Sequence, residues 1–187
     1  MSAKLCFLYR LMVAAVPLMQ FASERSDGAL AEYYHKHIPE EMGHDDMLRA
    51  DLERMGVAQI PQYFEAAMIA GSQYYLIAHD DPALLLGYIG VMESNAPKVS
   101  DIERLQLAYN VRLDCMMHHA KVDTWHVREL EEIRATLPPE LLWRVQWNEV
   151  NVKRMFDAAT RGIYADTTST TNATRQMRST DAARIAA

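Results

Sequence analysis

The sequence predicts an all-α protein, a single bundle of about six to seven helices. Three observations lead there. No stretch alternates apolar and polar residues with period two, and no Asn-Gly or Asp-Gly pair sits in a hairpin context. Glycine and proline number seven each, and they punctuate the chain where helical periodicity stops. The connections left between those stops are short, so neighbouring helices should pack antiparallel.

The first helix runs from about Ala3 to Arg25 and ends before Asp27-Gly28. The second runs from Ala29 to Met55, with Gly56 as its C′ residue. Pro39 lies inside it and predicts a kink or short break near His37. The third follows Pro61 and reaches about His79. The fourth opens on Asp81-Pro82, an N-cap with proline at N1, and stops before Pro97. Ser100-Asp101-Ile102-Glu103 reads as a capping box that starts a long helical stretch to Leu137, bent near Asn110. Pro138-Pro139 interrupt it, and a last helix runs from Glu140 to about Ile163. Residues 1–165 thus form one domain. The tail 166–187, rich in threonine and poor in bulky apolar residues, is expected to be disordered.

Composition narrows the function. The net charge of −6 argues against a nucleic-acid surface. Two cysteines, Cys6 and Cys115, make no disulfide framework and fit a reducing, cytoplasmic setting. The N-terminal segment has an apolar run after Lys4, but Arg10 interrupts it and no Ala-x-Ala site follows, so a buried first helix is expected rather than a signal peptide. The apolar runs read as too short and too interrupted for a membrane span. Trp143 and Trp147, at i and i+4, read as core, as do most of the twelve methionines.

Three segments carry candidate chemistry. In "HHAKVDTWHVREL", His119, Asp123 and His126 fall at i, i+4 and i+7, one polar stripe on a helix flanked by Met116, Val122, Val127 and Leu130. That is a metal-ligand pattern. In "HIPEEMGHDD", Glu41 and His44 form Glu-x-x-His, whose i and i+3 side chains can reach one ion. On a helix Glu40 and Glu41 flank His44, about 40° and 60° away, and His37 lies one heptad earlier, so Glu40, Glu41 and His37 all remain candidates for completing that site. Glu93 is the one acid between Pro82 and Pro97, on a helix apolar nearly all round. A buried lone carboxylate needs a partner, a proton or a metal. Glu41, His44, Glu93, His119, Asp123 and His126 together offer three imidazoles and three carboxylates, enough for two divalent ions. The mixed nitrogen and oxygen set favours iron or manganese over structural zinc.

"EEMGHDDMLRADLERMG", "GYIGVMES" and "HHAKVDTWH", in that order, resemble the heme-oxygenase-like diiron oxidase and oxygenase superfamily, over about residues 29–160. Heme oxygenase, thiaminase-type hydrolases and pyrroloquinoline-quinone synthase share its fold. The resemblance implies a heme-oxygenase-like helical domain with two Fe(II) ions per chain, held by Glu41, His44, Glu93, His119, Asp123 and His126. It implies dioxygen as co-substrate and assigns Glu93 and Asp123 to the chemistry. It also implies oxidation of a small amino-acid-like or fatty-acid-like molecule by N-oxygenation, oxidative decarboxylation or carbon–carbon cleavage, and it allows an external electron donor and a homodimer. Members carry a further helix before the first one here; without it the pocket is more open, and a partner subunit would be one way to cover it. Three other functions compete: a metal-free thiaminase-like hydrolase, a cofactorless oxidase, and a non-catalytic helical interaction protein. Cys115, beside Met116 and Met117, reads as packing rather than as a thiaminase nucleophile.

Overall fold

Eight α-helices and one short 3-10 turn make up the regular structure, and no strand occurs among the described residues. The computed structural model describes residues 1–94 and 97–163 apart from the Asp123 side chain; beyond them only the backbone path is given, as far as Ile185. The helices are α1 (Ser2–Ser23), α2 (Gly28–Glu41), α3 (His44–Arg54), α4 (Phe64–His79), α5 (Leu85–Ser94, preceded by the 3-10 turn Pro82–Leu84), α6 (Val99–Tyr109), α7 (Asp114–Arg134) and α8 (Pro139–Ile185). The tail expected to be disordered, 166–187, lies outside the fully described residues.

Several sequence signals act as expected. Gly56 takes φ +79, donates to the Glu53 carbonyl at 2.9 Å, and lets the Val57 amide reach Leu52 at 3.0 Å, which closes α3 in a Schellman turn. The Asp81 carboxylate accepts the Ala83 amide at 2.9 Å beside Pro82. Others act differently. The second helix continues past Pro39 to Glu41, and the break comes at Met42-Gly43. Proline removes one hydrogen bond close to a helix end, whereas the reversal needs a left-handed residue, and Gly43 supplies it at φ +86. The bend near Asn110 is a full break: Asn110 sits left-handed at φ +47 and α7 restarts at Asp114. Ser100 caps nothing, because α6 already begins at Val99, with Lys98 as the capping residue and no side-chain cap.

α1 lies centrally, packed on α2, α3 and α4, and α5 is sandwiched between α7 and α8. Phe7, Leu11, Leu18 and Ala22 of α1 are wholly buried in the main core. By length and composition α1 is nonetheless long and apolar enough to cross a membrane, contrary to the expectation from its interrupting Arg10. A core helix meets the same measure. Arg10 binds the Ile60 and Pro61 carbonyls, so its charge is absorbed by the loop before α4.

Two devices hold the functional helices in register. Asp51 of α3, 0% exposed, accepts the Asp114 amide at 2.8 Å and the Cys115 amide at 3.0 Å, and also pairs with Arg54. It thereby satisfies the open amides at the start of α7. At the other end of α7, Arg134 donates to the Leu86 carbonyl of α5 at 2.8 Å and meets Glu149 of α8 at 2.9 Å. Gly87 lets α5 approach α8 closely: a Cβ there would sit 2.6 Å from the Val145 carbonyl oxygen and 2.7 Å from the Glu149 amide.

Candidate metal centre

α2, α3, α5 and α7 converge on one buried polar centre. His37 and Glu41 stand one turn apart on α2, the spacing that puts both on its inner face. Glu41 ends α2 and His44 begins α3, so the Glu-x-x-His pair is not carried by one continuous helix; the left-handed Gly43 between them folds the two side chains together, with His44 Nδ1 2.9 Å from Glu41 Oε2. Glu93 comes from the last turn of α5 and is only 7% exposed, its carboxylate 3.3 Å from His126 Nδ1 and 3.6 Å from His37 Nε2. α7 supplies His119 and His126.

These side chains sort into two donor groups that could each hold a metal ion. His37, Glu41, Glu93 and His126 each offer an atom within 4.8 Å of the others; Glu41, His44 and His119 do the same. Glu41 belongs to both. Ring contacts tie the groups internally, His37 against His126 and His44 against His119, each with centroids 4.7 Å apart. Glu40 stands at the rim, its Oε2 3.4 Å from His37 Nδ1 and 3.7 Å from His126 Nε2.

The donor chemistry fits a pair of borderline or hard divalent cations: imidazole nitrogen and carboxylate oxygen, no thiolate. His37 Nδ1, Glu40 Oε2 and Glu41 Oε1 are buried and have no hydrogen-bond partner among the described residues. Buried lone pairs left this way are costly unless something else binds them. Charge points the same way. Burial alone would raise the Glu93 carboxyl, but the His126 and His37 imidazoles outweigh it and hold it at about 2. Burial likewise acts to raise Glu41, and the bond from His44 brings it below its ordinary value. Burial would lower His126, and its contact with Glu93 raises it instead. The carboxylates are thus kept ionised inside the bundle, where they favour cations.

Of the six ligands expected from sequence, the structure brings five together: Glu41, His44, Glu93, His119 and His126. The side chain of Asp123 lies outside the described residues. His37 takes a full place in the first donor group, and Glu40 is a neighbour rather than a member of either group. Cys115, buried beneath His119, has its thiol raised by burial and directed at the His44 carbonyl at 3.5 Å, as packing rather than nucleophilic use requires.

Two cavities adjoin the centre. One, of about 340 Å³, is walled by residues such as Leu8, Met12, Met92, Ile102 and Phe156, and its polar lining is Lys4 and His119. The other, of about 40 Å³, lies between Met12, Met19 and Tyr88 on one side and His37, Glu41 and Glu93 on the other. Met12 lines both cavities and Ala15 and Met19 the smaller one, while Leu11 is wholly buried in the core. Trp143 and Trp147 do not belong to it: they are 64% and 50% exposed. Comparison with protein-family models, with curated proteins and with solved structures finds no match.

Proposed function

We propose that the chain is a dinuclear non-heme iron oxidase or oxygenase that uses dioxygen as co-substrate to oxidise a small organic molecule with an apolar body. The observation that carries this reading is Glu41, one buried carboxylate shared by two donor groups on four helices. A single ion would need neither the second group nor a shared carboxylate, and a structural zinc site would favour thiolates. The likeness of the quoted motifs to heme-oxygenase-like diiron enzymes supports the same reading.

Two Fe(II) ions held there would supply electrons for reducing dioxygen. The chain's own residues set the conditions. His37, His126 and Glu93 would hold one ion, His44 and His119 the other, and Glu41 would be available to both. The apolar walls contributed by Met12 and Tyr88 exclude water from the carboxylate side of the centre, and the 40 Å³ cavity there has room for one small molecule. The 340 Å³ cavity has room for a small organic molecule, with His119 in its lining and the Lys4 ammonium available to an anionic end group. That favours an elongated carboxylate among the substrate classes the family resemblance allows.

The test is dioxygen uptake. Protein loaded anaerobically with Fe(II) is mixed with dioxygen and a graded series of saturated carboxylates, beside metal-free protein. Uptake that needs iron, accelerates with a carboxylate of matching length and weakens in Lys4→Gln is the expected result. Substrate oxidation that proceeds equally in the metal-free protein would overturn the proposal.

A further inference from the structure

The outer faces of α4 and α8 are apolar and uncovered. On α4, Phe64 is 75% and Tyr75 65% exposed, and Met68 lies between them. With the exposed Gly71 and Ala78 they recur at i, i+4, i+7, i+11 and i+14, a strict seam of the kind that packs against another helix. On α8, Trp143 and Trp147 repeat the spacing. The two helices run antiparallel side by side, joined by Asn148 to Gln73 at 2.7 Å and by Arg144 to Asp80, so the two exposed seams lie on neighbouring helices.

We infer that this surface pairs with a second copy of the chain, α4 crossing its own symmetry mate at Gly71. Three features favour that occupant. The first is size matching under a two-fold axis. An antiparallel α4 pair centred on Gly71 sets Phe64 opposite Ala78 and Tyr75 opposite Ala67, large against small, with the residue lacking a side chain at the crossing. A self-complementary patch is what an isologous interface requires. The second is area. The exposed parts of Phe64, Tyr74, Tyr75, Trp143 and Trp147 come to roughly 600 Å² at about 200 Å² per aromatic side chain. With Met68, Ala67, Ala78 and Val150 the face approaches the roughly 800 Å² per partner of a standard interface. It also reaches the top of the range for uncovered patches on monomers. The third is charge: among the exposed α4 residues from Phe64 to Ala78, Glu65 alone is charged, so no like charges are forced together at the seam.

The dimer does not depend on the metal centre, which opens elsewhere, beside α1 and α7. The experiment is light scattering after gel filtration, between about 1 and 100 μM, on the full chain. The parent should run at twice its 21.3 kDa. Gly71→Leu should weaken association at least tenfold. A Cβ at this exposed position meets nothing within 4 Å in the single chain, and leucine favours a helix over glycine, so the fold should be kept. The double change Met68→Glu with Tyr75→Glu should give a monomer with unchanged helicity. Leu107→Glu, at a still more exposed apolar residue on α6, should leave the dimer intact and serves as the control. A parent that stays monomeric at 100 μM overturns the inference, as does a dimer indifferent to both α4 variants. A monomeric parent that floats with phosphatidylcholine–phosphatidylglycerol vesicles overturns it in favour of a lipid surface.

Discussion

The metal centre and the outer face of α4 and α8 are opposites. One gathers carboxylates and imidazoles where a bundle normally keeps leucine; the other leaves tryptophan, phenylalanine and tyrosine where a bundle normally keeps lysine and glutamate. The physical reason each is tolerable differs. Inside, ionised Glu41 and Glu93 are costly in a low-dielectric interior and are held by imidazoles, and under the proposed function would be held by cations. Outside, exposed aromatics cost the folded chain little, because the unfolded chain exposes them too. The inner region should therefore punish small changes, and the outer region should forgive large ones.

The heaviest expected loss is at the clamp on α7. Asp51→Ala leaves the Asp114 and Cys115 amides without their acceptor and takes one of its two carboxylates from Arg54, and should destabilise the protein by about 3 kcal/mol in a denaturant titration. Asp51→Asn, which keeps one acceptor oxygen, should cost less. Next comes the seat of Glu93. Gly87→Ala drives a methyl into the α8 backbone and should cost about 2 kcal/mol by the same measurement, because α5 must move away from α8. A neutral result at either position would mean the inner helices are more loosely held than this account requires.

A smaller effect sharpens the electrostatic half of the comparison. In metal-free protein, Glu93 is depressed to about 2 from an ordinary 4.5, so its contribution is present above pH 4.5 and fades as pH falls towards 2. His126 is raised above 6.5, so its contribution is present below pH 6.5 and is lost as pH rises through the higher value. The chelator-stripped protein should melt highest between about pH 4.5 and 6.5. Metal needs neutral imidazoles, so the added melting temperature on metal binding should grow above pH 6.5. Melting curves with and without Fe(II) across that range check both signs. The smallest effect is expected outside: Trp147→Gln should change the stability of the single chain by less than about 0.5 kcal/mol.

The sequence made the two regions legible to different degrees. Glu93 stood out because a lone acid on an apolar helix has few ways to exist. Glu41 and His44 were found by their spacing on a helix, yet the helix ends between them, and Gly43 does the work that periodicity was given. His37 remained open because one heptad of separation says which side a residue takes only while the helix continues. The α4 and α8 faces show the deeper difficulty. Periodicity reveals that Trp143 and Trp147 share a face, but not whether that face looks inward or outward. That choice is made by long-range packing: the opposite face of α8, with Val145, Val152 and Phe156, is apolar too, and it is the one that meets the core. The capping box fails for a local reason, since the N-cap of α6 is Lys98, two residues before the Ser100 its polar signature suggests.

The central claim is that one carboxylate, Glu41, serves two ions. Iron retained per chain, measured after anaerobic Fe(II) loading and gel filtration of the parent, Glu41→Ala and His119→Ala, tests it most directly. The account predicts about two irons in the parent, about one in His119→Ala, where the first donor group is whole, and well under one in Glu41→Ala, where both groups lose a ligand. A parent that retains no iron would contradict it, and so would a Glu41→Ala protein that still retains as much iron as the parent.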